Sequence, residues 1–308
     1  MRVLLPIDMT DAMLISHSVP EPAVDEPLLV LGTNYDPLDI VSVVSIDSHK
    51  LYLRKIAGDV NAIPVPKPNE TEFWRDIGNT NAWKMFDPDR SSRTVGDSPM
   101  TVKLRPGKRI TCAAITGMVA DHIDFTVREN GAVVYNQNLD LQERQVNGWF
   151  DYFFEPFSTK ENVWFPDMPP VIDPEITLTL TRNEGQVECG GFKIGSSVFI
   201  GKLELGASGP RINFSKVERN PEFGDDVELT PRKNIPTLIG RLSIDKGDLT
   251  KIEKTLLSLE AKVTVWAGIA DLEDGYFPTT FINGFLREQS PTLTDHNKCK
   301  IDIEIEEI

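Results

Sequence analysis

Short runs of alternating apolar and polar residues, separated by Gly, Pro and Asn, occupy most of the chain. A period of two over short runs predicts strands in antiparallel sheets with one wet face. The clearest case is Asp121–Arg128, where Ile123, Phe125 and Val127 share one face and His122, Asp124, Thr126 and Arg128 the other. The turn Glu129-Asn130-Gly131 predicts a hairpin onto Ala132–Leu139, because Asn-Gly tolerates the positive φ that two-residue hairpin turns need. Glu175–Arg182 repeats the pattern, with Ile176, Leu178 and Leu180 set against threonines. Thr101–Arg105, Arg109–Val119, Trp149–Phe157, Asn162–Phe165 and Cys189–Ile200 are read as further strands around them, and upstream Ile40–Ile46 and Lys50–Lys55 as another pair.

Beyond Ile200 the pattern changes. Leu203–Ile212, with Gly206 and Gly209-Pro210, reads as a loop, and Asn213–Val217, Val227–Arg232 and Pro236–Asp245 as strands. Lys246–Glu260 is the one stretch with helical period: Leu249, Ile252, Leu256 and Leu259 recur every three or four residues, with Lys251, Glu253 and Lys254 opposite. Asp248 in its first turn suits the helix dipole. Strands follow at Lys262–Ala270, Phe281–Arg287 and Lys298–Ile308. The last alternates Ile301, Ile303 and Ile305 with Asp302, Glu304 and Glu306, and is expected as an edge strand open to pairing with another chain.

These elements predict a mainly β protein. An N-terminal arm and small β module occupy 1–68, an antiparallel, jelly-roll-like β-sandwich 69–202, and a small α+β domain 203–308. Residues 1–33 carry Pro6, Pro20, Pro22 and Pro27 among acidic residues, and read as an extended arm with a short helix around Asp11–Ile15. The arm docks either on a neighbouring subunit or on its own domain. Asn61–Asn69, with Pro64, Pro66 and Pro68, reads as a stiff spacer.

The spacer leads into Phe73-Trp74-Arg75-Asp76-Ile77-Gly78-Asn79-Thr80-Asn81-Ala82-Trp83-Lys84-Met85-Phe86-Asp87, where large apolar side chains flank a polar turn at 78–81. Two readings stay open: a lid on the sandwich core, or a platform on which a flat sugar ring stacks. Trp74, Trp83 and Trp149 are the candidate stacking residues. The stretch resembles a recurring motif of tailed-bacteriophage tail proteins, the tail-tip, baseplate and carbohydrate-binding-like kinds. Tyr35-Asp36-Pro37-Leu38-Asp39-Ile40-Val41 and His49-Lys50-Leu51-Tyr52 resemble the small module that precedes it there, with Leu38 standing where that pattern has Gly. The resemblance covers about residues 30–190. Further on it is carried loosely by Phe223-Gly224-Asp225 and Val265-Trp266. It implies a structural virion protein of the tail tip or baseplate, made in the host cytoplasm, assembling with itself as a ring of six or a trimer and with other tail proteins. A receptor- or glycan-binding tail protein is the alternative, and a glycan-cleaving enzyme ranks last.

Composition narrows the chemistry. A net charge of −15 argues against a grip on nucleic acid, which needs clustered Lys and Arg. No run approaches the roughly 18 apolar residues of a membrane span. The first residues lack the long apolar core of a signal peptide, so none is expected. Cys112, Cys189 and Cys299 are far apart and odd in number, giving neither a disulfide framework nor a metal spacing. None of the common catalytic or phosphate-binding motifs occurs, so no enzyme, cofactor or metal is expected. The four histidines His17, His49, His122 and His296 are scattered. His122 and Asp124 share a strand face that reads as solvated, and Asp271, Glu273 and Asp274 crowd into a loop without the spacing of a calcium site.

Overall fold

The computed structural model describes residues 1–308 except 31, 47, 57–72, 90, 144–147, 155–157, 214, 220–226, 233, 270 and 294–296. The expected spacer at Asn61–Asn69, the Phe223-Gly224-Asp225 motif and His296 lie outside the described residues. The protein is mainly β, built from antiparallel sheets, with 24 strands and three α-helices among the described residues. It divides into two compact units, Met1–Pro6 with Gly195–Ile308, and Ile7–Ile194. The divisions fall at Pro6/Ile7 and Ile194/Gly195.

The chain opens with β1 (Arg2–Pro6) and then builds the whole second unit. There β2 (Leu14–His17) precedes a small sheet of β3 (Ile40–Ser45), β4 (Ser48–Arg54) and β5 (Trp74–Asn79) in sequence order. After β6 (Thr94–Gly96) come β7 (Met100–Leu104), β8 (Cys112–Thr116), β9 (His122–Glu129) and β10 (Ala132–Asp140). A short pair, β11 (Gln142–Glu143) and β12 (Ser158–Thr159), encloses helix α1 (Trp149–Phe154). β13 (Val163–Phe165), β14 (Glu175–Thr181), β15 (Val187–Cys189) and β16 (Gly191–Phe199) follow, β16 running across the division.

In this unit β10-β9-β14-β7-β2 form one sheet, while β13, β8 and the start of β16 are neighbours in another. The chain passes between the two sheets at nearly every connection, as jelly rolls do. Alternation puts Ile123, Phe125, Val127, Ile176, Leu178 and Leu180 in the core, all at most 2% exposed. Phe125 closes the sandwich by stacking on Phe165, with centroids 4.6 Å apart, and meeting Phe192 edge-on. β8 is buried throughout, which is why Cys112-Ala113-Ala114-Ile115 within it is unbroken apolar rather than alternating. The hairpin turn has Asn130 at φ 49° and Gly131 at φ 83°, the conformation its sequence calls for.

The first unit resumes with the rest of β16, then β17 (Lys202–Leu203), β18 (Arg211–Ile212), the hairpin β19 (Lys216–Arg219) and β20 (Val227–Thr230), and β21 (Ile235–Asp245). α2 (Leu249–Ser258), β22 (Thr264–Ala267), the short α3 (Phe277–Thr280), β23 (Phe281–Leu293) and β24 (Lys298–Glu307) complete it. Its strands run β16-β1-β22-β23-β24-β21-β17. Ile252, Leu256 and Leu259 from the helical stretch pack with Leu238, Leu242, Trp266, Ile301, Ile303 and Ile305 of that sheet.

Four expectations are corrected. Arg2–Pro6 is no arm: β1 lies between β16 and β22, with Val3 and Leu4 fully buried. Adjacent buried residues there need both faces covered, which a count of prolines does not reveal. Leu203–Ile212 is not simply a loop, since β17, β18 and a bridge from Ser208 to Ile239 line the free side of β21. The C-terminal strand is not an edge: β24 pairs β23 on one side and β21 on the other. Its acidic face is answered from both neighbours, by Arg241 on Asp302 and by Arg287 on Glu304 and Glu306. Alternation reports a wet face and carries no information about edges. Finally, the expected strand Trp149–Phe157 is a helix over Trp149–Phe154.

Candidate functional site

The aromatic stretch forms two elements rather than two arms around a turn. Trp74–Asn79 is the third strand of the small sheet, and Asn81–Phe86 winds into a 3-10 helix that buries Ala82, Trp83 and Met85. The proline-bearing segment before β3 supplies the groups that hold this helix. Glu21 accepts from Trp83 Nε1 at 2.9 Å through one carboxylate oxygen, and from His49 Nδ1 at 2.9 Å and the Thr80 hydroxyl through the other. Glu26 accepts the Asn81 N–H at 2.8 Å and the Ala23 N–H at 3.2 Å. These carboxylates satisfy donors at the helix start, where backbone N–H groups have no intrahelical partner. Asn81 then ties on the strand beyond, donating to Val95 O at 2.8 Å and accepting from Val95 N–H at 3.0 Å.

Trp83 is enclosed on every side. The His49 ring stacks on it at 3.8 Å and 14°, Phe86 meets it edge-on at 5.4 Å, and its residue exposure is 6%. Beyond the ring, His49 Nε2 lies 3.8 Å from Asp11 Oδ1, so the imidazole sits between two carboxylates. Trp74 is enclosed elsewhere, in a cluster with Val41 and Tyr52, edge-on to Tyr35 at 5.6 Å and under the Arg54 guanidinium at 5.0 Å. Nearby, the His17 ring is held neutral: burial pushes its pKa down to about 4 against the attraction of Glu21, and the Val19 N–H donates to Nδ1 at 2.9 Å.

The three candidate stacking residues therefore part company. Trp74 and Trp83 present no open ring face, which a stacked sugar requires, whereas Trp149 is 82% exposed on α1. Around Trp149 lie groups that sequence patterning did not single out: Phe150, Tyr152, Phe153 and Phe154, between 55% and 71% exposed. A signal was present. Aromatics at consecutive positions would need both faces of a strand buried, and Gly148 bounds the run.

Other candidate chemistry stays dispersed. His122 Nδ1 is 3.8 Å from Asp140 Oδ1 on the neighbouring strand and well exposed, while Asp124 accepts from Thr126. In the acidic loop, Asp271 accepts the Glu273 N–H and Asp274 the Tyr276 N–H, so these carboxylates shape the turn into α3. Among the described residues no three His, Cys, Asp or Glu converge as metal ligands. Cys112, Cys189 and Cys299 are buried thiols outside any disulfide, and burial pushes the Cys189 thiol up to about 12. No helix is long and apolar enough to cross a membrane, among the described residues.

No protein-family model matches the chain, and no curated protein matches it.

Proposed function

We propose that this chain is a non-catalytic structural protein of a tailed-phage tail tip or baseplate, acting through subunit contacts. The observation that carries the reading is the use made of the residues that resemble the tail-protein motif. Trp74, Trp83 and Met85 are interior, and Thr80 and Asn81 are spent on Glu21, Glu26 and Val95. Such a motif serves as scaffold, holding the small sheet and the 81–96 segment of the sandwich unit in one arrangement. What the described surface then offers is contact chemistry, chiefly the exposed aromatics of α1. The protein would reside in the virion and work in several copies.

A second reading, contact with a host surface glycan, is favoured by one observation, the open ring of Trp149. Antibodies raised against the purified chain test the first reading. They should label one end of purified phage tails, and tails that lack the chain would overturn it. Retention on immobilised host glycan that is lost in Trp149→Ala would favour the second.

A further inference from the structure

We propose that α1 is a docking finger that seats in an apolar groove, rimmed by lysine or arginine, on a different protein chain. Its base is fixed. Leu141 is fully buried, its N–H donates to Asp121 O at 2.8 Å, and Lys160 N–H donates to Leu141 O at 2.8 Å. β11 and β12 pair across the excursion, and Glu143 meets Lys160 at 2.9 Å. Between these two strands in the chain come Trp149, Phe150, Tyr152, Phe153 and Phe154, exposed by 82, 71, 55, 66 and 70%. Their rings contact one another, Phe150 with Phe154 at 4.9 Å and Tyr152 with Phe153 at 5.2 Å.

A helix with five aromatics among six residues belongs against apolar surface, and one this short is far below the roughly 12–15 residues that hold a helix alone in water. Contiguous exposed aromatic surface marks a contact site, and Trp, Tyr and Phe are the side chains that anchor protein interfaces. A groove that wraps the turn covers all five rings, whereas a stacking platform uses one open face.

Charge selects the occupant. Residues 140–161 hold five carboxylates and two cations, and one of those cations, Lys160, is engaged by Glu143. A second copy would bring the same acidic finger and its own net charge of −15. An anionic lipid surface is repelled in the same way, and helices that lie on membranes carry basic residues that this one lacks. A basic rim around apolar walls complements both features, and it makes docking sensitive to salt.

This deepens the tail reading and rests on it only for where the partner is sought. Benzoylphenylalanine is placed at position 150 in chain expressed during phage growth, and photocrosslinks formed in purified tails are identified by mass spectrometry. The expected product is one peptide from a different chain, apolar with Lys or Arg beside the crosslink. Its yield should fall about tenfold in Trp149→Ser/Phe153→Ser and about threefold in Glu161→Lys. The Ser variants should melt within about a degree of wild type, as surface changes do, and a large loss would place these rings inside the fold and overturn the proposal. Crosslinks to a second copy, to lipid or to glycan, or none in tails that contain the chain, overturn the docking and leave the tail reading standing. Tails without the chain overturn the tail reading instead, and the same crosslinking in whole cells then decides the docking by the same criteria.

Discussion

Leu38 shows how far a single residue can depart from a pattern while the backbone keeps it. In the turn Asp36–Asp39 the Asp39 N–H donates to Asp36 O at 3.1 Å, with Pro37 second and Leu38 third at φ 78°. A third residue at positive φ is the place for glycine in such a turn. Leu38 is 75% exposed and gains little from burial. Leu38→Gly should therefore raise stability by about 0.5–1 kcal/mol, relief of the left-handed strain outweighing the added freedom of the unfolded chain. Chemical denaturation checks this, and a loss of stability would show that the leucine side chain is itself needed. The tryptophans separate by the same kind of experiment. Trp74→Ala and Trp83→Ala should each cost about 3–5 kcal/mol, the range for large aromatics removed from packed interiors, while Trp149→Ala should leave stability unchanged within about 0.5 kcal/mol. His17 adds a dependence on pH. Its pKa is lowered to about 4 in the fold from 6.5, so the unfolded chain takes up the proton first. The stabilisation from keeping the ring neutral is complete above pH 6.5 and is lost as pH falls from there towards 4, by about 3 kcal/mol in all. The difference in stability between pH 7 and pH 4 should shrink in His17→Gln; an unchanged difference would show that another group sets it.

Among the elements, those that bury one face were read from their period and β8, buried on both, from its apolar run, whereas β1 and α1 were misread. β9, β14 and α2 follow periods of two and 3.6 because one side of each meets a core and the other meets water. β1 carries too few residues for a period and has adjacent buried residues, so the prolines of residues 1–33 dominated the reading. α1 is exposed nearly all round, and its aromatics suggested strand because aromatic residues favour sheets that can cover them. The clamp on Trp83 was legible in part. The polar residues Thr80 and Asn81 were evident, but Glu21, Glu26 and His49 come from distant positions that only the fold brings together. Sequence alone could not separate a lid from a platform, since exposure of a ring is a three-dimensional fact. β5 offers its own test. It carries Gly78 at φ 121°, beside a break in its register with β4, and the added Cβ would meet nothing within 4 Å. Gly78→Val should lower the melting temperature more than Asn79→Ala, because a β-branched residue resists that φ even where there is space. Equal melting temperatures would show that the strand shifts to accommodate the change.

At the scale of the whole molecule, each of two compact units carries a core: a sandwich closed by Phe125, and a sheet packed on α2. The interior position of β24 removes one route to self-association, so the ring proposed above would have to use other surfaces. Repeated subunits around an axis most often close with cyclic symmetry, and we expect six or three copies. The decisive measurement is a reconstruction of the purified tail tip at a resolution that traces side chains. This chain should stand in a closed ring about the tail axis, with Trp74 and Trp83 enclosed as here and a different protein wrapped around Trp149–Phe154. Tail tips that lack the chain, or hold it as an isolated copy with the 149–154 aromatics facing solvent, would contradict this expectation.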